Sequence, residues 1–192
     1  MEQVSHQETE EILRLAEKSL STAGDFVELG CYKGDTSILL AKLLKANRSD
    51  KRLWLYDSFA GLPEKTSEDQ STAGAQFKAG ELFVSKREVV EKFRRANLPM
   101  PIIRKAFFEA LDPDSDLPAV ISFAFLDGDL YGSIKTSLRL AVPKLDQKGI
   151  IVVHDYNNPE LPGPSRAVDE FLKTHHEFRL AQRHTLAILT RS

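Results

Sequence analysis

The sequence predicts a doubly wound α/β fold, a single mostly parallel sheet with helices on both faces and an antiparallel strand at its C-terminal end. Two observations carry this. Val120–Asp127 and Gly149–His154 are nearly continuous apolar runs of strand length, which suit strands covered on both faces. Around them, apolar residues recur at helical spacing, so strands and helices alternate along the chain. A length of 192 residues makes one compact domain, residues 1–192, the default.

Each element follows in order. Ile12, Leu13, Leu15, Ala16 and Leu20 predict a helix over 7–20, and Asp25–Gly30 is a strand ending in glycine. A helix over 36–46 leads to a second strand at 51–57. Residues 58–80 carry Gly61, Gly74, Gly80 and Pro63 among polar residues, so they predict a long excursion able to cover a site. A helix over 84–96 precedes a short strand at 101–104, after the Pro99/Pro101 break. A helix over 134–145 lies between the two apolar runs. A last helix spans 166–175, and Phe178–Ala181 with Leu186–Leu189 form a closing strand pair.

Composition excludes several classes. Lys plus Arg is 26 and Asp plus Glu is 28, a formal charge of −2, so no basic field draws nucleic acid or an anionic membrane. The acidic start Met1–Glu10 has no apolar signal core, and no run reaches the ~20 residues of a membrane span. The single Cys31 forbids an internal disulfide. The expectation is a soluble cytoplasmic protein.

In such sheets ligands sit beyond the carboxyl ends of the strands. The first end reads Glu28-Leu-Gly-Cys-Tyr-Lys-Gly-Asp-Thr-Ser37. Gly30 and Gly34 permit a tight turn, but Tyr32 stands where a dinucleotide loop needs its middle glycine, so NAD is disfavoured. A carboxylate at Glu28 would repel a pyrophosphate yet attract the ammonium or sulfonium of S-adenosylmethionine. Asp57, at the second strand end, suits ribose hydroxyls. A simple turn with a surface carboxylate is the bland alternative at each position taken singly. Cys31 has no histidine partner in any motif and reads as a packed loop residue.

These segments resemble the macrocin O-methyltransferase family of class I S-adenosylmethionine-dependent methyltransferases. The resemblance rests on 26–34 (FVELGCYKG), 57–64 (DSFAGLPE), 105–111 (KAFFEAL), 126–131 (LDGDLY) and 167–171 (AVDEF). It implies a Rossmann-like methyltransferase fold and O-methylation of a small-molecule hydroxyl on a sugar, phenol or polyketide. The cofactor-binding set it implies is Glu28, Gly30, Tyr32, Lys33, Gly34, Thr36, Asp57, Ser58, Ala106, Phe107 and Asp127. Glu28 and Gly30 would line the methionine end, Asp57 the ribose, and Ala106-Phe107 the adenine; S-adenosylhomocysteine would be the product. A homodimer is compatible with the family and is not readable from this chain. The region before the first strand is shorter than in that family, which bears on acceptor choice more than on cofactor.

Two further strand ends are acidic, Asp127-Gly-Asp129 and His154-Asp155-Tyr156. Buried like charges need compensation, and a hard divalent cation with oxygen ligands, Mg²⁺, supplies it. By the resemblance, Asp127 and Asp155 match metal ligands, while His154 stands where the family pattern has an Asp. Imidazole is a poorer Mg²⁺ ligand than carboxylate, so His154 leaves three readings open: a ligand in a site tuned to Mn²⁺ or Zn²⁺, a general base without metal, or a rim histidine without chemical duty. The catalytic candidates are therefore Asp127, Asp129 and His154. Asp129 is read equally as a substrate contact or as a cap of the next helix. A metal-independent enzyme and a non-catalytic cofactor-binding protein remain the rival functions.

Overall fold

In the computed structural model, residues 4–71 and 77–192 are described; Gly74 and its neighbours in the 58–80 excursion lie outside them. Helix α1 (His6–Lys18) precedes strand β1 (Asp25–Leu29), helix α2 (Asp35–Ala46) and strand β2 (Leu53–Asp57). Helix α3 (Lys86–Arg95) and strand β3 (Ile102–Lys105) follow, then strand β4 (Ile121–Leu126), helix α4 (Tyr131–Ala141) and strand β5 (Leu145–Val153). Helix α5 (Pro162–Thr174) leads to the hairpin of β6 (Phe178–Arg183) and β7 (Leu186–Arg191).

The seven strands form one sheet in the order β3-β2-β1-β4-β5-β7-β6. β1 to β5 run parallel, and β7 is antiparallel to both β5 and β6. The order reverses between β1 and β4, which opens the crevice where ligands of doubly wound sheets sit. Alternation along the strands divides the core. Phe26, Phe123, Phe125 and Val152 face α1, α2 and α3, whereas Val27, Ala124, Leu126 and Val153 face α4 and α5.

Boundaries shift for local reasons. α4 begins three residues before the expected 134 and stops at Ala141, because Pro143 turns the chain into a 3₁₀ turn. β5 starts at Leu145, ahead of its apolar run: Leu145 pairs with Ile121, and a register shift separates that pair from Phe123–Ile150. α5 starts at Pro162, where a fixed φ suits the first helical turn. No helix among the described residues is long and apolar enough to cross a membrane.

Candidate active site

The parallel register draws four strand ends together. Gly30 N donates to Tyr56 O at 2.8 Å, Asp127 N to Leu29 O at 2.8 Å, and His154 N to Leu126 O at 3.0 Å. Glu28, Asp57, Asp127, Asp129, His154 and Asp155 are thereby gathered on one rim. At each end a non-glycine residue takes a left-handed backbone: Tyr32 (φ 42), Phe59 (φ 47), Asp129 (φ 60) and Asp155 (φ 57). Such conformations cost about 1–3 kcal/mol each and cluster at functional sites. Asp57 enforces two of them, since its carboxylate accepts from Cys31 N (3.1 Å), Tyr32 N (3.0 Å) and Phe59 N (2.8 Å).

Two clefts meet at this rim. The first, about 640 Å³, is lined by Gly30, Tyr32, Asp57, Ser58, Gly61, Leu62, Phe107, Phe108, Asp127 and Asp129, among others. Phe107 offers it an aromatic ring left 44% exposed. The second, about 1720 Å³, is lined by Glu28, Tyr32, Lys33, Thr36 and Asp127 together with Val4, His6 and Thr9 of the N-terminal segment. Two expected contacts lie outside both linings. Ala106 packs against the core facing α4 and α5, with its N–H on Asp57 O. Gly34 is the left-handed residue preceding α2.

The electrostatics are dominated by carboxylates. Burial pushes Glu28 well above the usual carboxylate range; the Ser37 hydroxyl, donating to it at 2.5 Å, opposes this, and Asp127 and Asp57 add to it. Burial, then Asp127 and Asp155, push Asp129 up in the same direction. His154 is buried, with Nδ1 3.0 Å from Asp127 Oδ1 and 3.1 Å from Asp155 Oδ2. Burial alone would lower its pKa; Asp127, Asp155 and Glu8 outweigh burial and hold it well above the usual imidazole value. Cys31 is buried and its thiol pushed up by that burial, as expected of a packed cysteine.

The donor atoms of Asp127, His154 and Asp155 lie within 4.8 Å of one another, so one divalent ion could bridge them. The imidazole among two carboxylates makes Mn²⁺ or Zn²⁺ better suited to this set than Mg²⁺, for which imidazole is a poor ligand.

Three contributions to the site depend on tertiary contacts and not on local sequence. Asp129 does not cap α4: the residue preceding that helix is Leu130, which has no capping side chain. The cap comes from the excursion, where buried Asp69 accepts from Tyr131 N at 2.7 Å and from Thr66 N at 2.9 Å. Leu62 packs on Leu130 and Leu161 nearby. Asp69→Ala should therefore lower stability by about 1–2 kcal/mol and speed amide exchange at Tyr131. Urea denaturation and hydrogen exchange check this; an unchanged midpoint would contradict the cap. The other two contributions are Phe108, beside Phe107 in the first cleft, and Glu8 of α1, which lies 3.7 Å from His154. The Ser5-x-x-Glu8 spacing marks only a helix start; nothing local ties Glu8 to the rim, because His154 and Thr185 lie more than a hundred residues away.

Against known proteins, the profile of the family described as Macrocin-O-methyltransferase (TylF) matches residues 7–180. The chain is 31% identical over 155 residues to demethyldecarbamoylnovobiocin O-methyltransferase of Streptomyces niveus, covering 77% of this chain and 58% of that protein. It is 28% identical over 163 residues to the 8-demethyl-8-(2,3-dimethoxy-alpha-L-rhamnosyl)-tetracenomycin-C 4'-O-methyltransferase of Streptomyces olivaceus, covering 81% and 58%. Among solved structures, the O-methyltransferase NovP superposes with a TM-score of 0.82 at 27% identity, covering 97% of this chain and 80% of that one. The chain thus spans somewhat under two thirds of the length of these curated relatives. By the extent of the profile match, it belongs to the macrocin-O-methyltransferase (TylF) family.

Proposed function

We propose that the chain transfers the methyl group of S-adenosylmethionine to a hydroxyl oxygen of a small molecule, a sugar, phenol or polyketide. The carrying observation is the convergence of four carboxylates, Glu28, Asp57, Asp127 and Asp129, from three adjacent strand ends onto two clefts that meet at the Gly30–Gly34 turn, with Asp155 beside Asp127 at the next strand end. The charge of Asp57 and Asp127 at the first cleft draws in a sulfonium and an ammonium and repels a pyrophosphate.

Asp57 spends three acceptor sites on loop N–H groups, which leaves about one for a ribose hydroxyl. Ser58, Phe107 and Phe108 form an apolar and polar wall suited to a nucleoside, and Glu28 faces the second cleft toward the methionine end. Residues 58–71 and 77–80 cover the site from water, as a reactive methyl requires. Asp129, its carboxylate pushed up, takes the proton of the acceptor hydroxyl as general base. Asp127, Asp155 and His154 would hold a divalent ion, which when bound lowers the pKa of the acceptor hydroxyl.

A second reading is favoured by the direct contacts of His154 Nδ1 with both Asp127 and Asp155: a metal-independent transferase whose histidine itself compensates those carboxylates.

Calorimetric titration of S-adenosylhomocysteine into metal-stripped protein, with NAD⁺ as control, tests the first step. Binding at about micromolar Kd with silence toward NAD⁺ is expected; no binding with or without Mg²⁺ or Mn²⁺ would sink the proposal. An acceptor screen over hydroxylated sugars and phenols, run in EDTA and after Mn²⁺ or Mg²⁺ addition, separates the two readings. Turnover that vanishes in EDTA and returns with the ion is expected; turnover untouched by EDTA selects the second.

A further inference from the structure

We propose that Glu8, from the N-terminal helix, is a positioning residue: it fixes the ring of His154 so that Nδ1 faces Asp127 and Asp155. The inference deepens the proposed function and rests on that reading for its catalytic meaning, but the geometry stands by itself.

Strand alternation sets up the encounter. His154 follows Val152 in phase, so its ring turns to the face of the sheet that carries Phe125 and α1, with ring centroids of Phe125 and His154 6.2 Å apart. There Nε2 lies 3.7 Å from Glu8 Oε2, while Nδ1 is 3.0 and 3.1 Å from the two aspartates. Both ring nitrogens therefore face acids, and a ring flip would exchange those partners. The carboxylate is itself held. Glu8 Oε2 accepts from Ser5 N (3.0 Å) and Ser5 Oγ (2.6 Å), and Oε1 from Thr185 N (3.3 Å) and the Thr185 hydroxyl. One side chain thus ties α1, the β6–β7 turn and the end of β5 to the rim.

Helix capping does not account for this. Ser5–Glu8 is a capping box, but Ser85–Glu88 at the start of α3 is the same device, and there the glutamate is exposed with no partner beyond its own cap among the hydrogen bonds and ion pairs of the described residues. A cap needs no burial, yet Glu8 is 5% exposed. Burying a carboxylate is costly unless it is hydrogen-bonded and paired; Ser5 and Thr185 supply the hydrogen bonds, and the charged partner is the imidazole.

The test reads the ring directly. Protein with ¹⁵N-labelled histidine rings gives long-range ¹H–¹⁵N correlations, and the signals lost in His154→Gln identify those of His154. Glu8→Ala should shift both ring nitrogens of His154, and Glu8→Gln, close to isosteric, should return them part of the way. Ser5→Ala removes part of the same cap but keeps the carboxylate, so it should lower Tm and leave the ring signals in place. Ring signals unmoved in Glu8→Ala, or moved equally by Ser5→Ala, would overturn the proposal. Should Glu8→Ala fail to fold, Glu8→Gln carries the comparison. S-adenosylhomocysteine titration of the wild type, run alongside, keeps failure of the cofactor reading distinct from failure of this one.

Discussion

Asp129→Asn should reduce turnover by about 10² to 10⁴-fold, the range a positioned general base supplies, while leaving the Kd for S-adenosylhomocysteine within a few-fold. Asparagine is the informative replacement. Asp129 has φ 60, and asparagine is among the few side chains that tolerate the left-handed region, so the change removes the charge without moving the backbone. Alanine would add strain to the loss of chemistry and confuse the two. The pH dependence supplies a second signature. Burial and the neighbouring Asp127 and Asp155 hold Asp129 well above the usual carboxylate range. A base must be deprotonated to act, so kcat/KM should rise with pH through that elevated pKa, and the acid limb should disappear in Asp129→Asn. Near-wild-type turnover in the variant, or an acid limb that persists unchanged, would remove Asp129 from the base role and return it to His154 or to solvent.

The parts of this site that were legible in the sequence are those built from local order. Glu28-Leu-Gly30, Asp57-Ser58, Asp127-Gly-Asp129 and His154-Asp155 each end an apolar run, and a parallel sheet must bring such ends to one rim. What stayed hidden depends on faces and distances that no local pattern encodes. Which face His154 takes follows from its phase with Val152, but that α1 covers this face is a tertiary fact, so Glu8 could not be found. Adjacency in sequence points to Asp129 as the cap of α4, but Asp69 supplies it from 62 residues away. Gly34 and Ala106 sit within matching motifs yet line neither cleft, since one sets a helix start and the other packs inward. Motif membership marked the segment, and side-chain direction decided the role.

The same distinction separates the two glycines of the first turn, and here it predicts opposite outcomes. A Cβ added at Gly30 would lie 1.9 Å from the carbonyl oxygen of Asp127 and 2.6 Å from its carbonyl carbon, at φ +94. Those are backbone atoms of the neighbouring strand end, locked by Asp127 N on Leu29 O, so nothing flexible can yield. Relief requires β1 and β4 to part where the strand order reverses. The cost should reach about 4–5 kcal/mol or more, the range reserved for severe core or backbone conflict. Set against a typical total of about 5–15 kcal/mol, that leaves little or no folded protein. At Gly34, φ is +74 and the closest atom to a new Cβ is Val89 Cγ1 at 3.3 Å, a side chain able to give by a few tenths of an ångström. Gly34→Ala should therefore fold and lose about 1–2 kcal/mol, the penalty of a left-handed alanine. Urea denaturation of both variants decides the matter. A Gly30→Ala protein as stable as Gly34→Ala would mean that the β1 and β4 ends are not in contact through this glycine. The rim that gathers Glu28, Asp57 and Asp127 would then need another architecture.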